Sequence, residues 1–318
     1  MKWLVTGGLG YIGSHLVLRL TQNPQNQVHI IDNLSNGKSS RNLNYVPLTL
    51  GDIRNTQQLK DLLVKEKFDG IFHLAALKSV KDSKQEASLY FSTNVEGTKN
   101  LFELAELTQV KYFIFASTCA VYGKPKRISE NGLDESSPLT PSNYYGETKL
   151  HAEKLLLNTS HLRVSVLRFF NVIGTSHAEL LNTSDDSLLG NLIQAVKTNS
   201  VFSIYGTDYE TSDGTCERDF IDVRDVTEAL VLVSEKMINN EKMSLVYNLG
   251  TNSSTSVRKF ANLFFSLAGK KTEIVELPRR EGDIPFAMAN ANLIRSEIGF
   301  QPKIDVESSI KDVCEFLI

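Results

Sequence analysis

Tyr145 and Lys149 stand four positions apart, so on a helix a phenol and an ammonium share one face. Such a pair can move a proton. A free phenol titrates near ~10, so accepting a proton at pH 7 asks for a displacement of roughly three pH units, about 4 kcal/mol. An ammonium ~5 Å away at an effective dielectric of ~20 contributes about 3 kcal/mol of that, and a second positive group beside the phenol would supply the rest. Just upstream, Phe115-Ala116-Ser117-Thr118-Cys119 brings hydroxyls to the end of an expected strand, where ligand-facing residues of open parallel sheets gather. Alone, Tyr-x-x-x-Lys reads as surface decoration. Its weight depends on what precedes it.

What precedes it is Thr6-Gly7-Gly8-Leu9-Gly10-Tyr11-Ile12-Gly13, set between an expected strand and an expected helix. A tight glycine turn at a helix N-terminus lets backbone N–H groups meet a pyrophosphate. The spacing is G-x-x-G-x-x-G. Asp32 closes the next expected strand, 19 residues after Gly13, where a carboxylate can accept both ribose hydroxyls of an adenosine. At ~4 Å and an effective dielectric of ~20 it would repel a doubly charged 2′-phosphate by several kcal/mol, so NAD is expected over NADP. Lys38 and Arg41 lie nearby and could reverse this; they read as solvated loop charges.

The elements that must carry these groups alternate as short apolar runs and longer segments of helical period, the pattern of βαβ units and a parallel sheet. Strands are expected at Lys2–Thr6, Gln27–Asp32, Val46–Leu50, Gly70–Leu74, Lys111–Ala116 and Arg163–Phe169, with helices at Ser14–Thr21, Thr56–Lys65, Ala87–Thr108 and Asn143–Leu157. Tyr90, Asn94, Gly97, Leu101 and Leu104 fall on one stripe of the third helix, and the polar Asn and the Gly suggest close approach to something other than core. The fold class is therefore α/β, a Rossmann-type doubly wound parallel sheet with a smaller C-terminal α/β domain. The expected division is residues 1–170 for the dinucleotide, with a returning segment near 218–250, and 171–318 for substrate.

Composition narrows the classes. The 318 residues are 41% hydrophobic and 22% charged, enough apolar surface for a core. With 34 basic against 37 acidic residues and a net charge of -3, there is no global excess to hold nucleic acid. No run approaches a membrane span, no charged leader precedes Trp3-Leu4-Val5, and Cys119, Cys216 and Cys314 lack metal or redox spacing, so they read as reduced thiols of a cytoplasmic protein. No metal site is expected.

Together with Asp32-Asn33-Leu34, Gly51-Asp52-Ile53-Arg54, His73-Leu74-Ala75-Ala76-Leu77-Lys78, Asn94, Val121-Tyr122-Gly123, Arg168-Phe169-Phe170-Asn171, Arg218-Asp219-Phe220 and Pro278-Arg279-Arg280-Glu281-Gly282-Asp283, these motifs run through nearly the whole chain. It resembles the extended short-chain dehydrogenases/reductases, and within them the UDP-glucose 4-epimerase family. The resemblance implies bound NAD, held by Gly7, Gly10, Tyr11, Ile12, Gly13, Asp32, Asn33, Leu34, Ser35, Asn36, Gly37, Asp52, Ile53, Leu74, Ala75, Ala76, Lys78, Asn94 and Phe170 with Tyr145 and Lys149. It implies Thr118, Tyr145 and Lys149 as the catalytic set. For a UDP-sugar it implies Lys78, Thr118, Tyr145, Asn171, Ser187, Leu188, Ser203, Tyr205, Arg218, Arg280, Asp283 and Ala287. Against that stands a plainer reading of Arg218 and Arg280 as surface ion pairs with Asp219 or Glu281.

Family members that dehydrate a nucleotide sugar carry an Asp-Glu pair after the catalytic Thr, where this chain has Cys119 and Ala120. Neither can be the acid and base of an elimination. The resemblance thus implies reversible oxidation at C4 and inversion there. Ala287 stands where relatives confined to plain hexoses often have Tyr, so UDP-GlcNAc and UDP-GalNAc are expected substrates beside UDP-glucose and UDP-galactose. Two departures are Ser187 for a usual Asn, which puts one substrate contact in doubt, and Asp222 for a usual His, read as a surface difference. A UDP-uronate 4-epimerase, a 4,6-dehydratase and a non-catalytic NAD sensor are the alternatives. The resemblance also implies a homodimer built on the helices around 87–108 and 143–158.

Overall fold

The computed structural model describes residues 1–124, 131–158, 162–239, 241–243, 245–280 and 282–317. Seven parallel strands form the central sheet: β1 (Lys2–Thr6), β2 (Gln27–Asp32), β3 (Leu48–Leu50), β4 (Gly70–His73), β5 (Tyr112–Thr118), β6 (Arg163–Phe169) and β7 (Val246–Leu249), in the order β7-β6-β5-β4-β1-β2-β3. The order reverses between β1 and β4, the switch point of a doubly wound sheet, and a crevice opens there at the strands' carboxyl ends. Helices cover both faces, so strands read as nearly continuous apolar runs. Trp3, Val5, Ile30 and Phe72 are buried with the helices Tyr11–Thr21 and Val223–Ile238, and Leu4, Ile31, Ile71, Phe113 and Phe115 with Thr56–Glu66 and Gly97–Leu107.

Local chemistry explains where elements differ from the sequence pattern. β3 begins at Leu48, not Val46, because the Asn42 side chain takes both the N–H and the C=O of Val46 and Pro47 has no N–H to give. β5 runs on to Thr118, carried by its pairing with Arg168 and Phe169 of β6. The helix expected over 87–108 is three pieces: Ala87–Phe91, a π-turn Ser92–Glu96 and Gly97–Leu107. Asn94 sits in the π-turn, 1% exposed; its amide donates to the Leu77 carbonyl and the Thr148 hydroxyl and accepts the Leu77 N–H. The widened turn is the local device that aims this amide at the loop after β4.

Beyond β6 the chain builds a separate core of Ile173, Leu189, Leu192, Phe202, Phe220, Phe260 and Phe264, with the short parallel pairs Asn171–Ile173 with Phe220–Asp222 and Phe202–Tyr205 with Ile274–Leu277. β7 returns from this region to the edge of the main sheet beside β6. Asp222, expected at the surface, is 1% exposed: it caps the helix Val223–Ile238, pairs with Arg224 at 2.8 Å and accepts from Ser309. A carboxylate can satisfy all three donors at once, and that is what permits its burial.

Candidate active site

The glycine turn leaves β1 and opens the helix Tyr11–Thr21. Gly7 has φ +68°, and a Cβ there would lie 2.8 Å from the Ala75 backbone nitrogen, so only glycine fits. At Gly13 an added Cβ would collide with the Gly7 carbonyl. The N-cap, Gly10, has no side chain to satisfy the first helical N–H groups. Those donors and the helix dipole face a cavity of about 690 Å³ and suit a diphosphate. Tyr11, Ile12, Leu74, Ala76, Lys78, Thr118, Tyr145, Lys149, Phe170 and Asn171 also line it, which puts the glycine turn and the proposed proton-transfer groups in one space.

A smaller pocket of about 180 Å³ adjoins it, lined by Asp32, Asn33, Ser35, Asn36, Gly37, Gly51, Ile53 and Ala75. Asp32 accepts the N–H groups of Leu9 at 3.0 Å and Leu34 at 2.8 Å, fixing its carboxylate against the glycine turn. Asp52 is engaged by Arg54 and Asn33, and the Arg54 guanidinium holds its carboxyl far below the usual carboxylate range. Lys38 and Arg41 line the larger cavity and not the smaller pocket that Asp32 lines, and neither forms an ion pair with Asp32, although Arg41 lies near enough to feel its charge. The residues therefore fit NAD. Arg41 is no solvated loop charge: it is 5% exposed, its donors drawn inward by the carbonyls of Leu9 and Leu181.

Asn143 caps the helix Tyr144–Leu156 by accepting the Gly146 N–H at 2.8 Å, and this start sets the phase that brings Tyr145 to Thr118. Thr118 accepts the Ala120 N–H, and its hydroxyl has both the Tyr145 phenol and the Cys119 thiol as neighbours. The electrostatics correct the sequence expectation. Burial pushes Tyr145 above the ordinary phenol range, with the Thr118 hydrogen bond opposing. Lys149 is 3% exposed, its Nζ 4.1 Å from the centre of the Phe115 ring, and burial pulls it down to about 7. The desolvation neglected in the Coulomb estimate is the larger effect, so the ammonium by itself does not make Tyr145 acidic.

Sequence reasoning missed the group that keeps Lys149 from falling further. Glu153, one turn beyond it, is 1% exposed, favours the ammonium, pairs with Arg168 at 2.7 Å and accepts from Ser117. The i, i+4 spacing from Lys149 was the available signal. Arg168 also donates to Tyr122 at 2.9 Å, so the network ties the helix to β5 and β6. Asp186 was missed as well; it meets Lys78 at 2.9 Å across the cleft.

A further cavity, about 340 Å³, gathers Asn171, Leu188, Ser203, Tyr205, Arg218, Arg280 and Asp283, and shares Asn171, Asp186, Leu188 and Phe220 with the first. Arg280 stacks on Tyr205, 3.6 Å from the ring centre. Arg218 donates to the Glu217 carbonyl, whereas Asp219 accepts from Thr251, Asn252 and Ala289; the plainer ion pair of Arg218 with Asp219 is not formed. Glu281 lies outside the described residues. Burial raises Asp283, against the pull of both arginines. Ser187 caps the helix Leu188–Thr198 through the Gly190 N–H and lines the first cavity. Ala287 is 2% exposed, paired with Arg218 between parallel strands.

A model of the NAD dependent epimerase/dehydratase family matches residues 3–250. The chain belongs to that family. Among its members the chain is 34% identical, over 98% of its length and 94% of the relative's, to a bifunctional UDP-glucose 4-epimerase and UDP-xylose 4-epimerase of Pisum sativum. Similar solved structures include a UDP-glucose 4-epimerase from Stenotrophomonas maltophila with bound NAD and formylated UDP-arabinopyranose (TM-score 0.91, 30% identity, covering 100% of this chain and 98% of that one). Another is the UDP-Glc/GlcNAc 4-epimerase of Campylobacter jejuni (TM-score 0.85, 32% identity, 99% and 98%). Cys119, beside Thr118, is a thiol that burial pushes up to about 11.

Proposed function

We propose that this protein is a NAD-dependent 4-epimerase of UDP-hexoses. The observation that carries the reading is that Thr118, Tyr145 and Lys149 line one cavity with the glycine turn, and that this cavity, fitted to NAD, meets a cavity lined by Arg218 and Arg280. NAD supplies a reversible hydride acceptor for C4 of the sugar. Tyr145 takes the proton of the C4 hydroxyl while Thr118 bonds the same oxygen and relays. Lys149 orients the cofactor's ribose. Arg218 and Arg280 hold the diphosphate, since guanidinium forks match phosphate oxygens, and Tyr205 offers a flat face for the base. The 4-keto sugar then turns about its diphosphate and is reduced from its other face, so the sugar inverts with no net oxidation. We assign residues 1–170 with β7 to NAD and most of 171–318 to the UDP-sugar.

Side-by-side assay of UDP-glucose, UDP-galactose, UDP-GlcNAc and UDP-GalNAc by NMR, with no added oxidant, tests the reading. Interconversion within each pair is the expected result; dinucleotide binding without interconversion would instead make the protein a sensor. Acceptance of the acetylated pair rests on the small side chain of Ala287, and a relative that takes such sugars, the Campylobacter jejuni enzyme, supports it. Ala287→Tyr should lower kcat/KM for the acetylated sugars by about 100-fold relative to plain hexoses; an unchanged ratio rejects that role.

A homodimer is supported by Phe91 and Leu107, which are apolar and exposed on the 87–107 helices, with Phe91 meeting His151 of the neighbouring helix edge-on. Light scattering at twice the chain mass is the expected outcome. A cytoplasmic setting is supported by three free cysteines. Among the described residues no helix is long and apolar enough to cross a membrane.

A further inference from the structure

Arg41 is buried and forms no ion pair among the described residues, the nearest opposing charge being the more distant Asp32. It ends the short helical turn Ser39–Arg41, which packs on a second turn, Ala178–Leu180, from beyond β6. Nη1 lies 3.4 Å from the Leu9 carbonyl, in the glycine turn, and Nη2 lies 3.0 Å from the Leu181 carbonyl, on the opposite wall. Both acceptors are neutral, and Nε has no hydrogen-bond partner. A desolvated cation whose hydrogen bonds go only to carbonyls, with its nearest carboxylate beyond ion-pair distance, is costly unless a closer counter-charge completes the site. The cavity that Arg41 lines is the one faced by the uncapped helix N-terminus at Gly10, so the anion called for by one feature also suits the other.

The opposite wall is the segment Asn182–Leu189. It is fastened to the dinucleotide side at two places: Arg41 on Leu181 and Lys78 on Asp186, the latter at 2.9 Å. A ligand lying along the cavity between these ties is enclosed by contacts that join the two walls directly.

We propose that Arg41 is a latch for the dinucleotide, giving its diphosphate a guanidinium contact and closing the segment after Leu180 over it. NAD then leaves only when Arg41 releases Leu181. The proposal rests on the reading that NAD is the bound cofactor, and its test separates the two. The experiment loads wild type, Arg41→Met and Arg41→Lys with labelled NAD, chases with excess unlabelled NAD, and follows release.

The expected result is release from Arg41→Met at least about 30-fold faster than from wild type, as loss of a charge-assisted contact implies. Arg41→Lys, which keeps the charge but not the fork, should fall between them. Thermal melts with and without NAD supply the second readout. A latch makes the variants lose most of the NAD-dependent rise in melting temperature, whereas a merely structural arginine lowers the NAD-free melt and leaves that rise intact. Release from Arg41→Met within about threefold of wild type overturns the proposal, as does an undiminished NAD-dependent rise. If Arg41→Met does not fold, Arg41→Lys decides by the same two criteria. Wild type that takes up no NAD would instead strike at the proposed function.

Discussion

Tyr145→Phe should lose roughly 10³-fold or more of its turnover while still folding and holding NAD, the scale expected when a positioned acid–base group is removed. The substitution deletes one oxygen and keeps the ring. That oxygen is the one beside Thr118, whose hydroxyl accepts the Ala120 N–H and also neighbours the Cys119 thiol. Burial keeps the phenol protonated through the neutral range, so its deprotonation must be driven by what binds beside it. The positive nicotinamide ring is a charge of the right sign. A tyrosinate absorbance should therefore appear at lower pH in NAD-loaded than in NAD-free protein, and Tyr145→Phe should abolish that difference. Near-normal interconversion by Tyr145→Phe would discard the mechanism outright.

Lys149→Met is expected to act in opposite directions on stability and on turnover. Burial holds Lys149 at about 7 against an ordinary 10.5. The folded protein therefore binds this proton less tightly than the unfolded chain. Below about 7 both states carry the proton and the cost of the buried charge is fully present; between about 7 and 10.5 the folded state has released it, and stability rises with pH. Methionine keeps most of the apolar stem over Phe115 and removes the charge. NAD-free Lys149→Met should be more stable than wild type at pH 6 by something on the order of 4 kcal/mol, and by less at pH 9.5. Turnover should fall by about 100-fold or more through loss of ribose orientation and of the ammonium. Urea melts at the two pH values read the first effect; a variant no more stable at pH 6 would mean that Glu153 compensates the ammonium fully.

Many enzymes hold costly groups in their sites, and this one concentrates them around one helix turn. Glu153 and Arg168 form a buried pair whose partners come from three elements. Breaking such a pair leaves an uncompensated charge, which is why neither residue is a useful probe of catalysis.

The sequence alone determined what depends on neighbours along the chain. The glycine turn, Asp32 at the end of β2, the helix carrying Tyr145 and Lys149 and the order of strands and helices all follow from spacing, periodicity and caps within some thirty residues. These forces act locally, so they are legible before folding. The tertiary structure decided the charges. Arg41 looked solvated and is buried on Leu181, Asp222 looked like a surface change and is a buried cap, and Lys149 looked like a full ammonium and is held near neutrality. Glu153 and Asp186 gained their partners only when segments distant in sequence came together. Desolvation and long-range pairing set all five, and both depend on which side chains fill the space around a group, a quantity no local pattern encodes.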